Sequence, residues 1–131
     1  MTLEEAQAFF KEDVYATEVT GAVIQACGPN YAKCTLSLTP RHRNAAGQVM
    51  GGVLFTLADF AFAVAANNTG VLTVTAVSQI SFLSAVRGSV LTAETRLLKD
   101  GRRSCFFQTD ITDELGTPVA VVTATGTHLE K

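Results

Sequence analysis

No block of basic residues occurs anywhere in this chain, and that absence removes the electrostatic footprint nucleic-acid binding requires. Ten Lys and Arg against twelve Asp and Glu leave a formal net charge of −2, so an anionic partner has to be met by a local cluster of basic side chains. Charge of either sign is scarce. Only 17% of the 131 residues are charged and 47% are hydrophobic, which excludes a disordered chain and leaves apolar surface for an oligomer to hide.

Cysteine is also sparse. Cys27, Cys34 and Cys105 are an odd number without metal-ligand spacing, each in a strand-like run, and they read as reduced, structural thiols of a cytoplasmic protein. The N-terminus, MTLEEAQAFFKED, lacks the basic start and apolar centre of a secretory leader. The longest apolar stretch, residues 53–66, is interrupted by Thr56 and Asp59 and falls short of the roughly 20 residues a membrane span needs. There is no P-loop, no G-x-G-x-x-G after a strand and no cluster of His, Cys and acids for a metal. No cofactor is expected. His42 and His128 have no Cys or Ser partner in a known motif and read as solvated.

What is present divides cleanly, in a length typical of one domain spanning residues 1–131. Residues 2–13 place Thr2 at an N-cap, Glu4 and Glu5 in a first turn, and Leu3, Ala6, Phe9 and Phe10 on one face, predicting a short amphipathic helix. Residues 14–27 and 31–39 flank a Gly-Pro-Asn turn, and Ala32, Cys34, Leu36 and Leu38 alternate with polar side chains, as in a half-buried hairpin. A loop, PRHRNAAGQVM, leads into a long apolar helix that opens at Gly51 and ends near Gly70, a suitable C-cap. Residues 72–83, 89–99, 104–112 and 118–129 are β-type runs separated by turn sequences, predicting four strands in an antiparallel meander. The class is α+β. Apolar residues point around nearly the whole circumference of the long helix, so the sheet must curl around it or a partner chain must cover the remainder.

Within that helix Asp59 is the lone carboxylate. A buried, unpaired carboxylate costs several kcal/mol, so either Asp59 lies on a solvent-exposed strip and does nothing chemical, or it is there for chemistry. Gly51-Gly52 favours chemistry, because a glycine pair at a helix start lets a ligand approach backbone amides that have no intrahelical acceptor and sit at the positive end of the helix dipole. Asp59 follows Gly51 by eight residues, roughly 12 Å along the axis. That is too far for both to act on one carbonyl within one chain, and a site shared between two subunits removes the mismatch.

The run N-A-A-G-Q-V-M-G-G-V-L-F-T-L-A-D, residues 44–59, resembles the signature of hotdog-fold acyl-CoA thioesterases of the phenylacetic-acid-degradation type, in which N-x-x-G-x-x-H-G-G leads into a helix reading x-x-x-x-L-A-D. The resemblance covers nearly the whole chain, and implies an antiparallel sheet wrapped around one long helix, with a short N-terminal helix. It implies hydrolysis of acyl-CoA by a homodimer with shared sites, assembled into a homotetramer. Asp59 matches the catalytic acid, as nucleophile or general base. Gly51 matches the glycine whose amide polarises the thioester carbonyl, Asn44 the side chain that helps hold the carbonyl or water, and Thr75 the hydroxyl that orients water or acid. Coenzyme A phosphates need basic residues, for which Arg41, Arg43, Arg87, Arg102 and Arg103 are candidates, with Gly52 beside the site. Met50 departs from the pattern, standing where the family has His. That leaves open a non-catalytic acyl-CoA-binding protein as the alternative, and weakens a dehydratase reading, which needs the histidine. The acyl group, aromatic or medium-chain, stays open.

Overall fold

Reciprocal capping starts the chain. In the computed structural model, which describes residues 1–129, helix α1 spans Leu3–Phe10. The Thr2 hydroxyl accepts from the Glu5 amide while the Glu5 carboxylate accepts from the Thr2 amide, satisfying two donors that a helix start leaves open. The buried face of α1 carries Ala6 and Phe10, and Phe10 meets Phe60 of the long helix edge-on.

Residues 14–20 do not extend the first strand. Tyr15–Thr20 closes into a π-helical turn ending on left-handed Gly21, and β1 occupies only Val23–Gly28. The Val, Tyr and Thr content resembles a strand, but local bonds win: the Thr17 hydroxyl donates to the Asp13 carbonyl at 2.9 Å, and the amides of Gly21 and Ala22 both reach the Ala16 carbonyl. β1 and β2, Tyr31–Ser37, form the expected hairpin, with Asn30 at a φ of 61° in its turn. Ala32, Cys34 and Leu36 are buried on alternate positions of β2, as the period of two requires.

Helix α2 runs Gly51–Asn67. It stops short of Gly70. Asn68 is the C-cap, because the Asn67 side chain turns back to donate to the carbonyls of Ala63 and Thr73 and to accept from the Thr73 amide; Gly70 adopts a φ of 86° in the turn that follows.

Four further strands follow: β3 Thr73–Phe82, β4 Val90–Asp100, β5 Ser104–Asp113 and β6 Pro118–His128. Only β4, β5 and β6 form a meander. The sheet order is β1-β2-β4-β5-β6-β3 with every pairing antiparallel, so β3 lies at the far edge beside β6. It has no place next to β4, whose two edges are taken by β2 and β5.

The sheet curls around α2 and buries Leu54, Leu57, Phe60, Phe62 and Val64. Bulges at residues 75–77 of β3 and 97–99 of β4 interrupt the ladders and strengthen the local twist. Gly126 of β6 lets helix and sheet meet, since a Cβ there would lie 2.8 Å from Cys105 Sγ and 2.9 Å from the Phe62 ring. One strip of α2 is uncovered: Gly52, Phe55 and Asp59 are exposed at helical spacing. The three thiols form no disulfide, and burial pushes that of Cys34 up to about 12, where it is inert. No helix among the described residues is long and apolar enough to cross a membrane.

Candidate active site

The approach to α2 is a bonded loop. The Asn44 side-chain oxygen accepts from the amides of Ala46 and Gln48 at 3.0 and 3.1 Å, and its own amide donates to the Gln48 carbonyl. Gly47, at a φ of 81°, makes the tight turn between them. Arg43 braces the same loop by donating to the Gly47 carbonyl. The Met50 amide then donates to the His42 carbonyl, delivering the chain to Gly51.

His42 is buried rather than solvated, because the surrounding backbone meets both ring nitrogens. Nδ1 accepts from the Thr39 amide at 3.0 Å, so the proton sits on Nε2, which donates to the Thr20 carbonyl at 2.7 Å. His128 is also enclosed, between Asp100 at 2.7 Å and the Thr73 hydroxyl at 2.8 Å. Both histidines tie segments together.

At the start of α2, Met50 provides no side-chain cap, and the first bond into the helix runs from the Val53 amide to the Met50 carbonyl. The amides of Gly51 and Gly52 therefore stand ahead of the ladder, at the positive end of the dipole. Gly51 lines a cavity of about 460 Å³ with Gln48, Leu54, Phe82 and Ser84. The Phe82 ring lies 3.0 Å from where a Cβ on residue 51 would be, so the ring occupies the space a side chain would take.

Asp59 faces elsewhere. It lines a second cavity, about 480 Å³, with Asp13, Tyr15, Phe55, Thr56 and Phe60. The Thr75 hydroxyl donates to Asp59 Oδ1 at 3.5 Å. Loss of hydration against these apolar walls raises the Asp59 carboxyl above its ordinary range; the Thr75 bond opposes that shift, and the Asp13 charge adds to it. Thr75 and Asp59 are brought together in one chain, whereas Gly51 and Asp59 open onto different cavities. Asn44 lies in neither cavity wall.

The basic candidates are spread over the loops. Arg41 lines a third cavity with Glu18, His42 and Met50. Arg102 and Arg103 are exposed in the β4–β5 turn. Arg87 has an exposed side chain, while its amide joins those of Gly88, Leu115 and Thr117 on the Asp113 carboxylate. Burial would raise that carboxyl, but the bonded amides hold it well below the usual range. Sequence reasoning passed over Asp13, at the end of the segment read as helix, and Tyr15, in the segment read as strand. It also passed over Gln48, which lies inside the motif at a position the resemblance leaves open.

A six-stranded antiparallel sheet wrapped around one helix, with a Gly-Gly helix start and an acid two turns on, defines the hotdog class. Residues 46–120 match the thioesterase superfamily model, and the chain belongs to that superfamily. The acyl-coenzyme A thioesterase PaaI of Escherichia coli K12 is 29% identical over 119 residues, covering 90% of this chain and 84% of that one. The structure of the E. coli PaaI protein superposes with a TM-score of 0.85 at 24% identity, over 98% of this chain and 96% of that one. A hypothetical thioesterase from Streptococcus pneumoniae TIGR4, solved with coenzyme A, gives a TM-score of 0.85 at 26% identity, over 93% and 98%. A hypothetical thioesterase of the same strain has also been solved with an aspartate and with a threonine changed to alanine. Those two positions are sixteen apart, as Asp59 and Thr75 are.

Proposed function

We propose that this chain hydrolyses acyl-CoA thioesters to the free acid and CoA, as a homodimer in which each site takes Gly51 from one subunit and Asp59 from the other. The observation that carries this reading is the split on α2: its start and its acid open onto separate cavities, so each is half of a site that a second copy completes. The edge strand β3 supports such pairing. Its outer edge is unpaired among the described residues and it exposes Val74, Val77 and Phe82, a surface that a second β3 would cover. Two such dimers would make a homotetramer.

In this mechanism the Gly51 amide polarises the thioester carbonyl, and Asp59 of the facing subunit attacks the carbonyl carbon or deprotonates the water that does. Its raised pKa makes it the stronger base. Thr75 orients the acid or the water. Asn44, whose oxygen is held by its own loop, keeps its NH₂ to help hold the carbonyl or water. Arg41, Arg43, Arg87, Arg102 and Arg103 are candidates for the CoA phosphates, with the Gly52 amide near the pantetheine end. The apolar walls beside Asp59, Phe55 and Phe60 among them, favour an aromatic or medium-chain acyl group. No cofactor takes part, the whole chain acts as one domain, and the enzyme works in the cytoplasm.

The test is a free-thiol release assay on a panel of acyl-CoAs with wild type and Asp59→Asn. Turnover by wild type and a loss of at least about 10²-fold in the variant are expected. Binding without turnover would leave a non-catalytic acyl-CoA-binding protein. An undiminished Asp59→Asn rate would remove the acid from the mechanism.

A further inference from the structure

We propose that His42 is a positioning residue for the Gly51 amide: its buried ring, through the bond to the Thr20 carbonyl, anchors the loop that delivers the chain to α2. The proposal rests on the thioesterase reading above and adds to it a residue that touches neither the substrate nor the reacting atoms.

An amide at the head of a helix polarises a carbonyl only if its N–H direction is fixed, and here the usual means is missing. Met50, the N-cap, makes no side-chain bond to the first turn. The loop before it, residues 43–49, is exposed except at Val49, and the bonds that shape it join its own residues. Arg43 meets Gly47 and Val49, and Asn44 meets Ala46, Gly47 and Gln48. Such bonds give the loop a form and leave its aim to its end. There Val49 packs against the core, and the Met50 amide donates to the His42 carbonyl at 2.9 Å.

His42 is in turn held by its ring. It closes the turn Pro40–His42 and is buried. Nδ1 accepts from the Thr39 amide at 3.0 Å, a bond within the same turn. Nε2 donates to the Thr20 carbonyl at 2.7 Å, 22 residues away in sequence. The first bond aims the ring and the second anchors it, because Thr20 is itself buried and ends the π-helical turn Tyr15–Thr20. One residue thus connects buried backbone to the amides at the start of α2, with its ring at one end and its carbonyl at the other. Thr20, Thr39, His42 and Met50 share one cavity wall.

Losing the Nε2 donor leaves the buried Thr20 carbonyl unpaired and releases that end of the loop. An amide turned away from the developing oxyanion stabilises the transition state less. Binding of the ester, carried by the acyl and CoA portions, changes little, so the loss falls on kcat rather than KM.

The experiment compares His42→Gln, His42→Met and His42→Asn with wild type. A Gln amide reaches about as far as the imidazole Nε2 and keeps a donor for Thr20, Met has similar reach without a donor, and Asn keeps an acceptor near the place of Nδ1 but is too short for Thr20. Thermal melts are recorded for each, and thiol release is measured below every melting transition. Met and Asn are expected to lose about 10- to 100-fold in kcat with KM within about threefold, and Gln to stay within about threefold of wild type. Equal kcat for Gln and Met, whatever their melting temperatures, overturns the proposal, as does a loss confined to KM. Should the Met variant fail to fold, the comparison of Gln with Asn decides in the same way.

A spectroscopic readout isolates the Gly51 amide from the rate. In Asp59→Asn, which holds the thioester uncleaved, the infrared carbonyl stretch of a bound isotope-labelled acyl-CoA should lie below that of the free ester. Adding His42→Met should move it part of the way back, and adding His42→Gln should not; a stretch unmoved by His42→Met overturns the proposal. Failure of the underlying reading looks different: wild type would bind without turnover, or Asp59→Asn would keep full rate. In the first case the stretch, read on wild type, still decides the role of His42, and in the second the kcat comparison does.

Discussion

The hydroxyl of Thr75, on the edge strand β3, donates to Oδ1 of Asp59 on the uncovered strip of α2. The bond favours the ionised carboxylate, against the loss of hydration and the charge of Asp13 that favour the protonated form. Removing the hydroxyl should raise the pKa of the acid further, and removing the neighbouring charge should lower it. Thr75→Val is therefore expected to shift the acid limb of the kcat/KM profile to higher pH and to slow the reaction by roughly 10- to 100-fold through lost positioning. Asp13→Asn is expected to shift the same limb to lower pH. Profiles in which neither limb moves would uncouple Asp59 from both neighbours.

The same raised carboxyl carries a stability consequence. The native state binds the Asp59 proton more tightly than the unfolded chain does, so folding stability falls as pH rises from the ordinary carboxyl range, about 4, through the folded pKa. Above that window the penalty is complete. Asp59→Asn should accordingly melt at a higher temperature than wild type at neutral pH and at a similar temperature near pH 3, while losing its activity. An Asn variant that is less stable at neutral pH would contradict the assignment of the shift to lost hydration.

A shared site makes a complementation test possible. Subunits carrying Asp59→Asn and subunits carrying Gly51→Val should each be inactive alone. After mixing and re-association, about half of the dimers are mixed, and each has one intact site, giving roughly a quarter of wild-type activity. Mixtures that stay inactive despite subunit exchange would place the glycine and the acid of one chain in the same site.

Close approach at Gly126 makes a packing prediction. A methyl at Gly126 meets Cys105, Phe62 and Thr73 within 2.9 Å, whereas one at Gly28 meets nothing within 4 Å. Gly126→Ala should destabilise the protein by roughly 1–3 kcal/mol in chemical denaturation, and Gly28→Ala should be close to neutral. Equal losses at both positions would point to backbone conformation as the cause.

The parts visible in the sequence were those written as local period or capping. The alternation of Ala32, Cys34 and Leu36, the Thr2–Glu5 box and the apolar run of α2, broken at Thr56 and Asp59, all express local pattern. Residues 14–20 misled because β-branched content does not exclude a turn closed by the Thr17 hydroxyl. The order of strands was hidden for a different reason: β3 and β4 have similar patterns, and nothing local states that β4 is already paired on both edges. The motif in residues 44–59 led to Asp59 and Gly51, and the resemblance added Thr75. The geometry separates Gly51 from Asp59, onto different cavities, as the spacing along the helix required. Asp13 and the enclosed rings of His42 and His128 depend on contacts across the fold that no spacing announces.

Edge placement of β3 also sets a timetable. Its backbone partner is β6, with Thr73 opposite His128 and Phe82 opposite Ala120, so a strand made midway through synthesis waits for the last one before it can join the sheet. Contacts so distant along the chain form late. A nascent chain that has released α2 but not β6 exposes Asp59 with Thr75 still unanchored by any ladder. The acid and its hydroxyl become neighbours only when the final strand is laid down, which couples the assembly of the pair to completion of the fold.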